Sequence, residues 1–152
     1  MRFLCDEMLA GLGKWLRAAG YDTKIIDDRE GDPEILDLAI RENRILLTRD
    51  RHFLKMNAEK NQVIFLSSNS IEDCAKELTE RLDVDWLYKP LSRCLICNGL
   101  LEKPSEELIL EHVPEDVQKW TTGFWYCHHC SKMYWEGAHV KKIMRKLNEL
   151  KD

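Results

Sequence analysis

Four cysteines in the last third of the chain constrain its fold more than any other feature, because they form two CxxC pairs. The pairs are Cys94 with Cys97 and Cys127 with Cys130. Each pair can point two thiolates at one ion, and two pairs complete a tetrahedron. Zinc is the metal we expect, since a closed four-thiolate site suits a structural ion without redox chemistry.

Two histidines lie inside the second pair, and either His128 or His129 could replace a cysteine as ligand. We favour the cysteines, because both pairs already have the required spacing. A structural zinc site is closed to substrates, so any chemistry is expected elsewhere in the chain.

The cysteines also divide the chain into two predicted domains. We expect an α/β domain over residues 1–91 and a zinc ribbon with a C-terminal helix over residues 92–152. Residues 92–137 are too few to fold on apolar burial alone, so zinc binding, worth on the order of 10 kcal/mol, would supply the missing free energy. Residues 83–90 are predicted to be the linker.

The composition is that of an ordinary globular chain, with 44% hydrophobic residues. No run approaches the roughly 20 apolar residues that span a bilayer, and Asp6 and Glu7 interrupt any signal peptide. We therefore expect no membrane association and a cytoplasmic protein, in which Cys5 and Cys74 are reduced and buried. The net charge of −4 neither indicates nor excludes a nucleic-acid partner, because the local distribution of charge matters more.

Strand and helix patterns alternate over the first 91 residues. Apolar runs predict strands at 2–5, 23–26, 44–48 and 63–66. Helical spacing predicts a helix after each of the first two strands, a short helix after the third, and one that follows Ser70. The apolar face of the first helix is predicted to hold Leu9, Leu12, Leu16 and Ala19, and that of the second Ile35, Leu36, Ala39 and Ile40. Such alternation indicates a mainly parallel sheet flanked by helices. A closing amphipathic helix is predicted from the apolar residues Val140, Ile143, Met144 and Leu147.

Acidic residues follow the predicted strands at their carboxyl ends, where open parallel sheets bind ligands. Asp6 follows the first strand and Asp50 the third, while Asp32 and Glu34 open the second helix near the same edge. Converging carboxylates repel each other unless a hard cation such as Mg²⁺ or Mn²⁺ neutralises them. Such an ion supports phosphodiester hydrolysis, so the pattern favours a metal-dependent hydrolase.

Some of these acids have simpler interpretations. Asp32 precedes Pro33 and is therefore also a good helix N-cap, a role compatible with metal binding. Asp27 and Asp28 lie in a loop rich in glycine and aspartate, and we expect them to be solvated turn residues.

Basic residues could hold the phosphates of a nucleic acid. Lys14 and Arg17 stand three residues apart on the first helix, and Arg49 and Arg51 flank Asp50. Either flanking arginine could instead pair with Asp50. Five tryptophans could stack on bases, although packing is the commoner role. For the basic face of the last helix we favour simple solvation; its members are Lys141, Lys142, Arg145 and Lys146.

Several runs of the chain resemble the mut-seven C-terminal RNase domain family. They are RFLCDEMLAGLGKWLRAAGYDT, DPEILDLAIRENRILLTRDRHF, SRCLICNGLL and FWYCHHCSKMYWEGAH. The resemblance extends from Met1 to about Leu147. It implies a PIN-like nuclease fold joined to a small C-terminal zinc ribbon and a closing helix.

The resemblance also implies roles for individual residues. The matching positions are the metal-binding acids Asp6 and Asp50, the helix-opening acids Asp32 and Glu34, and the basic pair Lys14 and Arg17. His52 stands where relatives often carry another acid.

These observations together predict a Mg²⁺- or Mn²⁺-dependent ribonuclease that acts on RNA, which we expect to be single-stranded. The catalytic acids would be Asp6, Asp50, Asp32 and Glu34, with Lys14, Arg17, Arg49 and Arg51 as RNA-binding residues. One alternative is a non-catalytic RNA-binding or ribosome-associated module. Another is a phosphoryl-transfer or phospho-acceptor domain, but that requires a lysine at the end of a fifth strand, and no such strand is predicted before the ribbon.

Overall fold

Strands and helices alternate through the first half of the computed structural model, which describes residues 1–27, 31–56 and 62–152. The strands are β1 (Arg2–Cys5), β2 (Asp22–Ile25), β3 (Ile45–Thr48), β4 (Val63–Phe65), β5 (Phe124–Cys127) and β6 (Lys132–Trp135). The helices are α1 (Ala10–Ala19), α2 (Asp32–Arg41), α3 (Ile71–Leu82), α4 (Glu106–His112), α5 (Glu115–Trp120) and α6 (Ala138–Lys151). Two short 3-10 helices lie at Glu7–Leu9 and Arg51–Lys55.

The first four strands form one parallel sheet in the order β2-β1-β3-β4. Helices flank this sheet, so the predicted α/β class is confirmed, and all four strands begin and end within one residue of the predicted bounds. The central strands are buried on both faces: Leu4 and Leu46 lie in one core, Phe3 and Leu47 lie in the other, and none of the four has exposed surface. Strands of this kind read as continuous apolar runs, which explains why the sequence locates them well.

Helix α1 packs its predicted face, including Leu12 and Leu16, into the main core without exposed surface. It ends at Gly20, which has a φ of 104°. An added Cβ at this glycine would lie 2.5 Å from the carbonyl oxygen of Lys89. The close approach and the left-handed backbone both require glycine at this position.

Helix α2 differs from prediction in two details. Its N-cap is Gly31, so the predicted cap Asp32 is instead the first helical residue, and its side chain is used elsewhere. Ile40 was predicted to share the buried stripe but is 49% exposed. At 100° per residue it lies about 140° around the helix from the buried Ile35, and Leu38 takes its place in the core.

The segment predicted to be the linker, residues 83–90, packs into the main core through Val84 and Trp86. Trp86 is 1% exposed, and its indole N–H donates to the hydroxyl oxygen of Thr79 at 2.7 Å. The backbone N–H of Lys89 donates to the carbonyl oxygen of Ala19 at 2.8 Å. A large buried side chain and direct hydrogen bonds to α1 give the segment a fixed path.

Helix α6 contributes to two apolar cores. Leu147 and Leu150 belong to the main core beside α1 and α3, whereas Val140 belongs to the core around the cysteines. The predicted division of the chain after residue 91 stays a prediction, but residues 138–151 are shared between its two parts.

The remaining cysteines and the cysteine-rich region have simple structures. The strands β5 and β6 form an antiparallel hairpin in the cysteine-rich region. Cys5 and Cys74 are buried free thiols, and burial raises the pKa of each. Within the described residues, no helix combines the length and the apolar character needed to cross a bilayer.

Candidate active site and metal centre

The sulfur atoms of the four predicted zinc ligands come together. The Sγ atoms of Cys94 and Cys130 are 3.5 Å apart, those of Cys97 and Cys127 are 3.3 Å apart, and all four lie within 4.8 Å of one another. A tetrahedral ion with Zn–S bonds of about 2.3 Å needs sulfur separations of about 3.8 Å. The group is therefore compatible with structural zinc, as the CxxC spacing predicts.

The two cysteine turns share a left-handed backbone conformation that the spacing of the cysteines does not predict. The residue after each second cysteine has a left-handed conformation, with a φ of 71° at Asn98 and 58° at Ser131. After the first turn, the N–H of Gly99 points at the Sγ atom of Cys97, 3.4 Å away. Backbone N–H groups directed at sulfur stabilise thiolate ligands.

Tyr134 supports the first cysteine pair from β6. Its hydroxyl lies 3.2 Å from the Sγ atom of Cys94 and accepts a hydrogen bond from the N–H of Leu95, also at 3.2 Å. Burial raises the pKa of the Cys94 thiol, but hydrogen bonds from Tyr134 and from backbone N–H groups outweigh it and lower the value to about 7. Cys94 is therefore prepared to be a thiolate ligand.

The histidines of the second pair are not part of the ligand group. The Nε2 atom of His128 lies 3.1 Å from a carboxylate oxygen of Glu102, outside the cysteine cluster. His129 is exposed. Four cysteines without histidine is the arrangement that the sequence favours.

Asp6 and Asp50 lie at the carboxyl edge of the parallel sheet, after the adjacent strands β1 and β3. Thr48, which is fully buried, connects them: its hydroxyl lies 3.4 Å from Asp6 Oδ2 and accepts from the N–H of Asp50 at 2.9 Å. Each aspartate also caps the 3-10 helix that follows it, through the N–H groups of Leu9 and His52 respectively. Thr48 thus joins the side chain of Asp6 to the backbone of Asp50.

His52 joins a third acid to this edge. Its Nδ1 atom lies 2.7 Å from Oδ2 of Asp32, the first residue of α2. The imidazole is exposed, and the Asp32 side chain is 32% exposed. The family resemblance identifies His52 only as the place of an acid in relatives. Its position two residues after Asp50, inside a short helix, is the signal that could have placed it at the site.

The remaining acids are less closely tied to the edge. Glu34 is exposed, and its carboxylate lies over Gly31 at the start of α2. Asp27 is exposed, as expected for a turn residue, and Asp28 lies outside the described residues. Within the part of the chain that the structure describes, only the cysteines bring three or more potential ligand atoms within 4.8 Å of one another.

The arginines that flank Asp50 do not pair with it among the contacts of the described residues. Arg49 donates to the side-chain oxygen of Asn69 at 3.2 Å. Arg51 is exposed, with its guanidinium 5.5 Å from the ring centre of Phe65. Both cations therefore remain next to the acidic edge without neutralising Asp50.

The RNA-binding role predicted for Arg17 needs correction. Arg17 is 6% exposed and donates to the carbonyl oxygens of Thr23 at 2.8 Å and of Leu95 at 2.9 Å. A third bond, at 3.1 Å, reaches the carbonyl oxygen of Ile96. Its guanidinium fastens α1 to the first cysteine turn and is not available to a phosphate. Lys14, three residues earlier, is exposed.

Comparisons with known proteins agree with this architecture. The model of the Mut7-C RNAse domain family matches residues 1–147. The chain belongs to the Mut7-C RNAse domain family. A human relative, "Exonuclease mut-7 homolog", is 32% identical over 101 residues, which are 64% of this chain. The match covers 12% of the human protein, so the chain corresponds to a small part of that relative. No solved structure matches the chain significantly.

Proposed function

We propose that this Mut7-C domain is a divalent-metal-dependent ribonuclease that hydrolyses single-stranded RNA at the acidic edge of its sheet. The observation that carries the proposal is the position of Asp6 and Asp50 after adjacent strands, with Thr48 bonded to the side chain of Asp6 and to the backbone of Asp50. Two carboxylates from adjacent parallel strands lie where α/β folds bind ligands.

The family supports a nuclease-type function, since its description is that of an RNAse domain. The name of the human relative, an exonuclease, supports the same class of activity. RNA as the substrate and metal dependence are the finer parts of the proposal, and they rest on the chemistry of the site.

The donor set suits a hard cation, because it consists of carboxylate oxygens. Asp6 and Asp50 would hold the ion, and Asp32 or Glu34 would complete its ligands directly or through water. A bound Mg²⁺ or Mn²⁺ supplies charge stabilisation to the phosphodiester and lowers the pKa of water. Arg49 beside the edge would orient the scissile phosphate.

The reaction itself adds water across one P–O bond. The water oxygen forms a bond to phosphorus in line with the leaving oxygen, which departs and takes up a proton. The role of the chain is positioning: the acids and Arg49 fix the phosphate and keep the attack in line.

Asp6→Asn and Asp50→Asn test this proposal. Asparagine caps a helix as well as aspartate does, so both variants should fold while losing a negative ligand. We expect each to reduce Mn²⁺-dependent cleavage of a labelled single-stranded RNA by at least about 100-fold. Asp116→Asn, an exposed acid of α5, is the matched control and should cleave normally. Full cleavage by both edge variants would exclude this site.

A second candidate function is an RNA-binding module without catalysis. It is favoured by the absence, among the described residues, of three carboxylates close enough to share an ion. RNA binding that is unchanged by Mg²⁺ and Mn²⁺, with no cleavage product in either metal, would support it over the hydrolase.

A further inference from the structure

A cleft of about 500 Å³ lies between α1 and α6 and is not part of the acidic edge. Both helices contribute lysine or histidine side chains to its wall: Lys14 from α1, and His139, Lys142 and Lys146 from α6. The rest of its wall is largely apolar and includes Trp15 and Leu95. Basic groups beside an apolar, partly aromatic wall are the combination that single-stranded nucleic acids require.

The charges of the cleft are only partly neutralised. The Nζ atom of Lys146 lies 3.0 Å from Glu72 and 3.4 Å from Glu149, and 5.1 Å from the ring centre of Trp15. Lys14 and Lys142 are exposed, and neither forms an ion pair among the described residues. The cleft therefore keeps two cations that can contact phosphates.

The cleft extends between the acidic edge of the sheet and the first cysteine pair. Gly11 and Glu72 line one end, and both lie in the first turns of helices that begin after β1 and β4, at the acidic edge. Leu95 lies at the other end, within the first cysteine pair. A single-stranded nucleic acid bound in the cleft would thus run along α1 from the cysteine turn toward Asp6.

We propose that this α1–α6 cleft is the binding track that delivers single-stranded RNA to the acidic edge. Lys14 and Lys142 contact successive phosphates, and the apolar wall contacts a ribose or base. As a route to catalysis the inference rests on the proposed function, whereas RNA binding by the cleft can be measured without any cleavage.

The test is binding of a fluorescein-labelled 12-nucleotide single-stranded RNA to the zinc-loaded chain, measured by anisotropy without added Mg²⁺ or Mn²⁺. The variant Lys14→Gln/Lys142→Gln removes the two unpaired cations of the cleft. The matched control, Lys141→Gln/Arg145→Gln, removes two exposed cations of α6 that do not line it. Both variants change the net charge equally, so general attraction to RNA falls by the same amount.

We expect the cleft variant to bind RNA about tenfold more weakly and the control to bind within about twofold of the parent chain. The slope of log affinity against log salt should fall by about 1.4 for the cleft variant, since each lost phosphate contact on a single strand accounts for about 0.7. Equal losses in the two variants, or normal binding by the cleft variant, would overturn the proposal.

Cleavage assays distinguish the role of the cleft from that of the proposed active site. The control variant should hydrolyse both the small diester bis(p-nitrophenyl) phosphate and long RNA normally, whereas the cleft variant should cleave long RNA more slowly at low RNA concentration. Asp50→Asn should lose both activities. If no variant and no parent chain hydrolyses either substrate, the proposed function fails, and the anisotropy result alone decides whether the cleft binds RNA.

Discussion

At the scale of single residues, Asp22 shows how the chain keeps a partly buried carboxylate ionised. Its oxygens accept hydrogen bonds from Arg44 at 2.8 Å, from Asn98 at 2.7 Å and from Arg2 at 3.3 Å. Burial alone would raise the pKa of Asp22, but the bonds from Arg44 and Asn98 outweigh it and lower the pKa to about 2. Because Asn98 follows a cysteine ligand, this carboxylate also fastens the ribbon to β2.

The lowered pKa predicts a pH dependence for the variant Asp22→Asn. A carboxylate with a depressed pKa stabilises the fold above its ordinary pKa near 4, and that stabilisation is lost as the pH falls through about 2. We expect the variant to be destabilised by roughly 2 kcal/mol at pH 7, and the difference to shrink between pH 4 and pH 2. Urea unfolding of both proteins at several pH values measures it. Asp37→Asn, which breaks only an exposed pair with Arg41, should change stability by less than about 0.5 kcal/mol throughout.

Arg17 and Lys14 offer a contrast between a structural and an accessible cation on one helix. Arg17→Gln leaves buried carbonyl groups without donors, so we expect a loss of about 2–3 kcal/mol in the free energy of unfolding. Lys14→Gln should change it by less than about 0.5 kcal/mol. Denaturant unfolding at saturating zinc distinguishes the two, and equal stabilities would contradict the structural role of Arg17.

At the scale of helices and strands, we expect replacement of Gly20 and of Gly11 by alanine to have opposite effects on the stability of the fold. Gly20→Ala places a Cβ against the carbonyl oxygen of Lys89 in a left-handed backbone, and should destabilise by at least about 1 kcal/mol. Gly11 is helical, and its added Cβ would meet only side-chain atoms of Ile71 at 3.4 Å. Gly11→Ala should therefore be neutral or stabilising by up to about 1 kcal/mol. Thermal unfolding of both variants provides the measurement, and a neutral Gly20→Ala would contradict the assigned role of this glycine.

The helices and strands could be predicted where an element is a continuous apolar run or has one regular apolar face. The strands of the sheet are short apolar runs between turn signals, and their parallel order follows from alternation with helices. The packing of residues 83–90 against the main core could not be predicted, because it depends on the burial of a single tryptophan, Trp86. Ile40 was misplaced because an isoleucine at the edge of a helical stripe can face solvent at moderate cost.

At the scale of the whole molecule, the cysteine centre and the sheet are expected to be stabilised together. Leu95 and Ile143 pack against both the main core and the core around the cysteines. Since zinc binding contributes on the order of 10 kcal/mol at such sites, removing it with a chelator should lower the melting temperature of the entire chain by at least about 10 °C. Calorimetry with and without chelator, followed by zinc addition, tests this. An unchanged transition for the α/β part would contradict the coupling.

The candidate site was predictable in part from the order of elements. Acids that directly follow neighbouring parallel strands lie at the same edge of the sheet, as Asp6 and Asp50 do, whereas their role as metal ligands stays a prediction. The role of Arg17 could not be predicted, because a cation on a helix looks the same in sequence whether it meets solvent or the carbonyl groups of a distant turn. Only the packing of residues 95–96 against α1 decides between them.

Because α6 covers α1 and α3 as well as the cysteine region, the order of synthesis has a consequence for folding. The sheet and its first three helices leave the ribosome long before residues 138–151 do. Until then, the apolar surface that Leu147 and Leu150 occupy has no cover. If translation pauses while β5 and β6 are being made, the nascent chain exposes this apolar surface. We therefore expect chaperones to bind the chain at that stage.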